Sequence, residues 1–249
     1  MRYLNILFVF SSVLLLSCAQ SQADQAAEQP FSGPNPWGDI RAERIQTLLP
    51  EAMVRSGVDA WAILCRSNNN DPLALHVGCE NAVAPAVFLF ETAGDGDSVR
   101  STVFTPPGEA TALRELGLHD TIQVVERTDD PMVVAAEYIN QNVRGNLALN
   151  YSDTNELADG ISYSQYTRLT NMLIQQVVNR IVSADELIYE WLSVKTPAEI
   201  DILRDAAKLT AQWEVEAYEQ VVPNESTDRD IALFLKQKMA EAGVTDAWS

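Results

Sequence analysis

The sequence predicts an α/β fold: a mixed sheet flanked by helices, followed by two further helices. Three observations predict it. From about residue 40 to 185, apolar repeats of helical spacing alternate with short runs rich in Val, Ile, Leu and Phe. Many of these segments are punctuated by Gly, Pro or Asp, the residues that start and stop helices. From residue 196 onward the alternation ceases, and two long helical patterns follow without a strand between them. Alternation of the first kind lays helices over the faces of a mixed or mainly parallel sheet.

Taken in order, residues 40–57 form a helix with Ile45, Leu48, Leu49 and Met53 on one face and Gly57 as its stop; Pro50 is positioned to kink it. Residues 58–65, "VDAWAILC", are apolar enough for a central strand. Residues 84–92 and 98–105 are two strands joined by "AGDGD". Asp95 and Asp97 there look like half of a calcium loop, but no further ligand run follows, so a turn is expected. Residues 107–117 form a helix between a Pro and a Gly, and 121–126 a strand. Asp130 caps a helix over 130–143, with Pro131 in its first turn. A strand at 145–152, a helix at 163–180, a short strand and a short helix complete the alternating part.

The last two helices carry the clearest local signals. Thr196 caps the first, Pro197 suits its first position, and Glu199 completes a capping box. Ile200, Leu203, Ala207, Thr210, Ala211 and Glu214 follow at helical spacing. Ser226 or Thr227 caps the second, whose apolar side holds Ile231, Leu233, Phe234, Leu235 and Met239 and which Gly243 ends. Two helices make no domain, and no later segment offers their apolar faces a partner.

Composition narrows the function classes. Thirty-five acidic residues against 17 basic ones give a formal charge of −18. That surface repels nucleic acid and anionic lipid, since phosphate binding needs clustered Lys and Arg and no basic run exists. The N-terminus has Arg2, then an apolar run from Ile6 to Leu16, shorter than the roughly 20 residues a bilayer span needs. It fits a secretory signal over residues 1–17. Leu15-Leu16-Ser17-Cys18 resembles the bacterial lipobox, which implies cleavage before Cys18 and lipidation of its thiol; the alternative is a plain signal cut later, for example after Ala23. Residues 18–38, small and polar, then rich in Pro and Gly, read as a tether. The protein is then expected to be exported and anchored facing the periplasm, with a soluble periplasmic form as the alternative. In that compartment Cys65 and Cys79 either form a disulfide or remain two buried thiols; spacing alone leaves both open.

No catalytic constellation is present. His76 and His119 lie far apart, the first read at a strand end and the second before an Asp, and both fit structural roles. HExxH, GxSxG and P-loop patterns are absent. Adjacent Asp129 and Asp130 are explained by capping, and Glu214, Glu216 and Glu219 by a solvated helix face.

One stretch carries a resemblance. "VKTPAEIDILRDAAKLTAQ" is similar to the opening of the catalytic pita-bread domain of the creatinase/aminopeptidase P (M24) metallopeptidases, at Lys195, Thr196, Glu199, Ile200, Leu203, Arg204, Ala206 and Ala207. The family's next element is matched at Thr227, Asp230, Ile231, Ala232, Met239 and Gly243, with Asn224 or Glu225 where Gly is usual. Upstream, "RIQTLLPEAMVRSGVDAWAILCR", "NNNDPLALHVGCE" and "SADELIYEWLSVKTPAE" fall in the order of the family's N-terminal domain. The resemblance implies a creatinase-like N-terminal domain over 39–190 and the start of an incomplete pita-bread domain, two helices, over 191–249.

The resemblance also implies metal-assisted hydrolysis of short peptides, directed at Xaa-Pro bonds, by two divalent metals (Mn, Co or Zn) held by two Asp, one His and two Glu, in a homo-oligomer. Those ligands lie further along the family's catalytic domain, and no residue here matches one. The chain is therefore expected to be an inactive N-terminal fragment of such an enzyme, with no cofactor and no catalytic or metal residue of its own. Membrane contact is expected only through the lipid. A prolidase-like dipeptidase is the alternative within the family; a lipid-anchored, non-enzymatic binding or assembly module is the alternative outside it.

Overall fold

The computed structural model describes residues 31, 33–67, 71–80, 82–94 and 96–245. The proposed signal peptide, Cys18, most of the tether and Asp95 lie outside the described residues. Among the described residues, no helix is long and apolar enough to cross a membrane. The chain divides into two compact units: one spans Pro34–Ala211, and the other takes in the chain from Gln212.

The first unit is built on one mixed sheet. Its strands are β1 (Ala60–Cys65), β2 (Ala86–Thr92), β3 (Val99–Thr105), β4 (Thr121–Val124), β5 (Leu147–Leu149) and β6 (Ile181–Ser183), in the order β4-β3-β2-β1-β5-β6. β1–β2 and β2–β3 pair antiparallel, whereas β3–β4, β1–β5 and β5–β6 pair parallel. Each parallel neighbour is reached through helices, as a parallel return requires. β1 is buried at every position and central, as its unbroken apolar run predicts. It fills both faces of the sheet because successive side chains alternate. Trp61, Ile63 and Cys65 join one core, and Ala60, Ala62 and Leu64 the other. The edge strands β4 and β6 are short, which limits the backbone they leave open to another chain.

The first core is covered by α1 (Trp37–Glu43), α2 (Leu49–Ser56), α3 (Ala74–Val77), α4 (Pro107–Leu116) and α8 (Asp185–Ser193); Leu49, Met53, Val77, Leu113 and Trp191 come from these helices. The second is covered by α5 (Pro131–Asn142), α6 (Tyr163–Met172) and α7 (Gln175–Val178), through Ala135, Ile139, Leu169 and Val177. The helix expected over 40–57 is interrupted by one π turn, Arg44–Leu48, before α2 begins with Pro50 in its first turn. Pro50 has no N–H to give the preceding turn, and a widened turn accommodates that loss without ending the helix. Gly57 closes α2 at φ 65°, the left-handed region a non-glycine residue enters at a cost.

Two other expectations change. His76 sits in the helical turn α3 rather than at a strand end, because Asp71 accepts from the Leu73 N–H at 2.9 Å and starts a turn there. The helix expected over 163–180 is split after Met172, although no Gly or Pro stands at the break. Asn140 of α5 stabilises the break. Its side-chain amide donates to the Met172 carbonyl at 3.0 Å and accepts from the Ile174 N–H at 2.9 Å. A tertiary partner thus satisfies the backbone groups that an unbroken helix would have used.

Two helices follow, α9 (Pro197–Glu219) and α10 (Asp228–Glu241). Thr227 and Asp230 form a reciprocal capping box on α10. Along α9 only Ala217 is buried, and along α10 no residue is. Leu203 and Leu233 are more than half exposed, at 54% and 57%. Lys238 pairs with Glu216 at 2.6 Å and lies over the Phe234 ring.

Candidate functional site

Among the described residues, no group of three or more His, Cys, Asp or Glu is placed to hold a metal ion. The acids singled out in the sequence serve local structure. Asp130 caps α5 by accepting from Met132 N–H at 2.8 Å, and it also pairs with Arg168. Glu214 accepts from the Tyr218 hydroxyl and Glu216 from Gln212, each within its own helix face. Cys65, at the end of β1, and Cys79, just after α3, are joined as a disulfide with a Cα separation of 6.3 Å.

Three polar arrangements in the first unit join residues far apart in the chain. The first is a buried chain through the core. Trp61 Nε1–H donates to Asn150 Oδ1 at 2.7 Å, and Asn150 Nδ2–H donates to Asp71 Oδ2 at 2.8 Å. Asp71 is buried beside Gly160, whose backbone it approaches so closely that an added Cβ would stand 1.9 Å from Oδ2. Burial pushes the Asp71 carboxyl up, against the lowering effect of the Leu73 and Asn150 hydrogen bonds. Trp61 stacks on Phe90 and meets Trp191 edge-on, which holds the indole aimed at Asn150.

The second is the joint between α8 and α9. The Arg44 guanidinium, with its side chain 2% exposed, donates to the carbonyls of Trp191 and Val194 and to Glu199 Oε2, the last at 2.7 Å. Trp191 Nε1–H returns a bond to the Arg44 carbonyl at 3.0 Å. Glu199 also accepts from Thr196 N–H at 2.8 Å, and Thr196 Oγ1 accepts from Glu199 N–H, so the expected capping box is present and is closed onto Arg44. Partial burial pushes the Glu199 carboxyl up, but the hydrogen bonds from Thr196 and Arg44 outweigh it and hold the carboxyl below its usual range.

The third involves both histidines. His119 Nε2–H donates to the Val77 carbonyl at 3.0 Å, and its ring packs edge-on to Phe88. Its Nδ1 is buried without a partner among the described residues. Burial lowers His119 to about 4. His76 lies edge-on between Trp37 and Trp191, and burial followed by the charge of Arg44 lowers its pKa. Neutral rings packed in this way act as structural aromatics. A cavity of about 110 Å³ lies beside the disulfide, lined by Ala86, Phe88, Leu113 and Leu116 with Glu80 and Glu109. None of these arrangements brings a nucleophile, a base and an orienting group together.

No protein-family model and no curated protein matches the chain. Among solved structures it is similar to an X-Pro aminopeptidase from Thermotoga maritima, at 16% identity and a TM-score of 0.47, covering 77% of this chain and 49% of that one. It is similar to an Xaa-Pro dipeptidase from Bacillus anthracis, at 16% identity and a TM-score of 0.47, covering 82% of this chain and 49% of that one. It is also similar to the N-terminal domain of an Xaa-Pro dipeptidase from Lactobacillus brevis, at 10% identity and a TM-score of 0.38, covering 61% of this chain and 98% of that one. The chain spans about half the length of the first two.

Proposed function

We propose that the chain carries the N-terminal unit, and the opening helices of the catalytic domain, of an exported Xaa-Pro aminopeptidase-like metallopeptidase of the creatinase/aminopeptidase P family. One observation carries the reading. The Lys-Thr-x-x-Glu stretch that resembles the family stands where a six-stranded mixed sheet unit hands over to a long helix, and Thr196 and Glu199 build that handover. A fold alone would not select an activity; the coincidence of motif and joint is what favours this one.

The residues present do not fit the dinuclear metal set the family implies, since no cluster of suitable ligands exists among those described. No hydrolytic step is therefore derived from them. On this reading the 249-residue chain is inactive alone, and a short peptide is the substrate of the whole enzyme, in which this unit serves assembly and access. Residues 1–17 direct export, and Cys18 is the lipid anchor.

The test compares two samples. One is the purified 249-residue chain. The other is the product of the native gene, captured by an antibody against residues 34–211. Both are titrated calorimetrically with Mn²⁺ and assayed on an Xaa-Pro peptide. Metal-dependent release of the first residue by the native product, and none by the short chain, is expected. Stoichiometric micromolar metal binding by the short chain would overturn its inactivity. No cleavage by the native product would overturn the family reading and leave a lipid-anchored binding module in its place. Growth on radiolabelled palmitate tests the anchor: incorporation should vanish in Cys18→Ser.

A further inference from the structure

We infer that Arg44 is a positioning residue that sets the direction in which α9 leaves the sheet unit. Only three residues, Val194 to Thr196, separate the end of α8 from the start of α9. Arg44 spans that joint. Two of its hydrogen bonds go to the carbonyls of Trp191 and Val194, at the C-terminal end of α8 where the helix dipole attracts a cation. The third goes to Glu199 in the first turn of α9. The planar fork of a guanidinium fits several acceptors at fixed angles, so it holds an orientation as well as a distance.

Arg44 is itself immobilised. It opens the π turn Arg44–Leu48, its backbone carbonyl accepts from Trp191 Nε1–H, and its guanidinium lies 5.6 Å from the Trp191 ring centroid. Trp191 is 1% exposed and packs on Trp61 of the central strand. Through Arg44, α9 is tied to the most buried part of the unit.

Apolar packing alone does not fix this direction. From Pro197 to Glu216 no side chain of α9 is fully buried: Ile200 and Leu203 are exposed, and Ile202, Ala206 and Leu209 are half-buried. A helix with so little burial near its start is directed by whatever holds its first turn. The lever is long: Lys208 stands about 17 Å along the helix from Pro197, so a swing of about 20° moves it by about 6 Å. The bearing on catalysis rests on the reading above. There α9 is the first helix of the catalytic domain.

The test uses the full 249-residue chain. Spin labels on p-acetylphenylalanine replace Tyr189 of α8 and Lys208 of α9, both exposed, which leaves the cysteines untouched. Pulsed dipolar spectroscopy should give one narrow distance distribution. In Arg44→Met the distribution should widen roughly twofold, while amide exchange over residues 200–204 stays as in the wild type, because the capping box remains and the helix swings rather than frays. Glu199→Gln, which keeps an acceptor for both Arg44 and Thr196, should retain the narrow distribution.

A folded Arg44→Met chain with wild-type width overturns the inference. Where Arg44→Met does not fold, Glu199→Ala decides, since Glu199 is 20% exposed and its loss is tolerable; wild-type width there overturns it equally. The distances are read without peptidase activity, so failure of the enzyme reading would leave this result standing.

Discussion

Replacing Asn150 by Leu tests the buried polar chain most directly. The residue is 1% exposed and similar in size to Leu, so the change removes hydrogen bonds and leaves little cavity. It strands two groups: the Trp61 indole N–H, which donated to it at 2.7 Å, and Asp71 Oδ2, which accepted from it at 2.8 Å. A buried group left unpaired costs about 1–3 kcal/mol, so the pair should cost about 2–6 kcal/mol. That is a large share of the roughly 5–15 kcal/mol of net stability of a folded domain.

The pH dependence supplies a second signature of the same substitution. Burial already holds the Asp71 carboxyl above its usual range, and the Asn150 bond opposes that. Without Asn150 the carboxyl moves further up. An acid whose folded-state value lies above its unfolded value gains stability as pH falls through the folded value. The deficit of Asn150→Leu should therefore narrow between pH 7 and about pH 4.5. Urea unfolding followed by far-ultraviolet circular dichroism at both pH values measures it. A loss below about 1 kcal/mol at pH 7, or a deficit that widens in acid, would refute the reasoning.

His119 should make the wild-type protein acid-sensitive. Its folded-state value of about 4 lies below the unfolded value, so its contribution is complete above roughly pH 6.5 and is lost as pH falls from there toward 4, by up to about 3 kcal/mol. His119→Gln should flatten the fall in melting temperature over that range; an unchanged profile would count against the assignment. Cys65 and Cys79, 14 residues apart, close a loop whose cross-link is worth about 3 kcal/mol. Both should resist alkylation until the protein is unfolded and reduced, and peptide mapping that finds either labelled in the native protein would contradict the bond. Gly160→Ala should cost about 1–3 kcal/mol in the same urea assay, because its Cβ displaces Asp71 or Pro72; a neutral effect would show that the Asp71 loop yields freely.

Local signals carried far in this chain because many of its elements announce themselves within a few residues. Asp130 with Pro131 starts α5, Gly57 and Gly117 end α2 and α4, and Thr196 with Glu199 starts α9. The unbroken apolar run of β1 announced a central strand because a side chain on either face of it meets a core. Strand order was less accessible: the alternating pattern allowed a mixed or mainly parallel sheet, and the two antiparallel pairings around β2 depend on which edge the chain returns to.

What the sequence determined by itself was the set of groups whose partners lie within one helical turn or one strand period: caps, stops, apolar faces, and the lack of any familiar catalytic motif. Partnerships across long stretches of chain came instead from the packed fold. Arg44 meets Glu199 at a separation of 155 residues, Trp61 meets Asn150 at 89, and Asn140 breaks a helix 32 residues away. No propensity marks such residues beforehand. A guanidinium or a carboxamide has the same local chemistry in water as in a core, and its role is assigned only when the packed sheet removes the water and leaves one set of hydrogen-bonding atoms within reach.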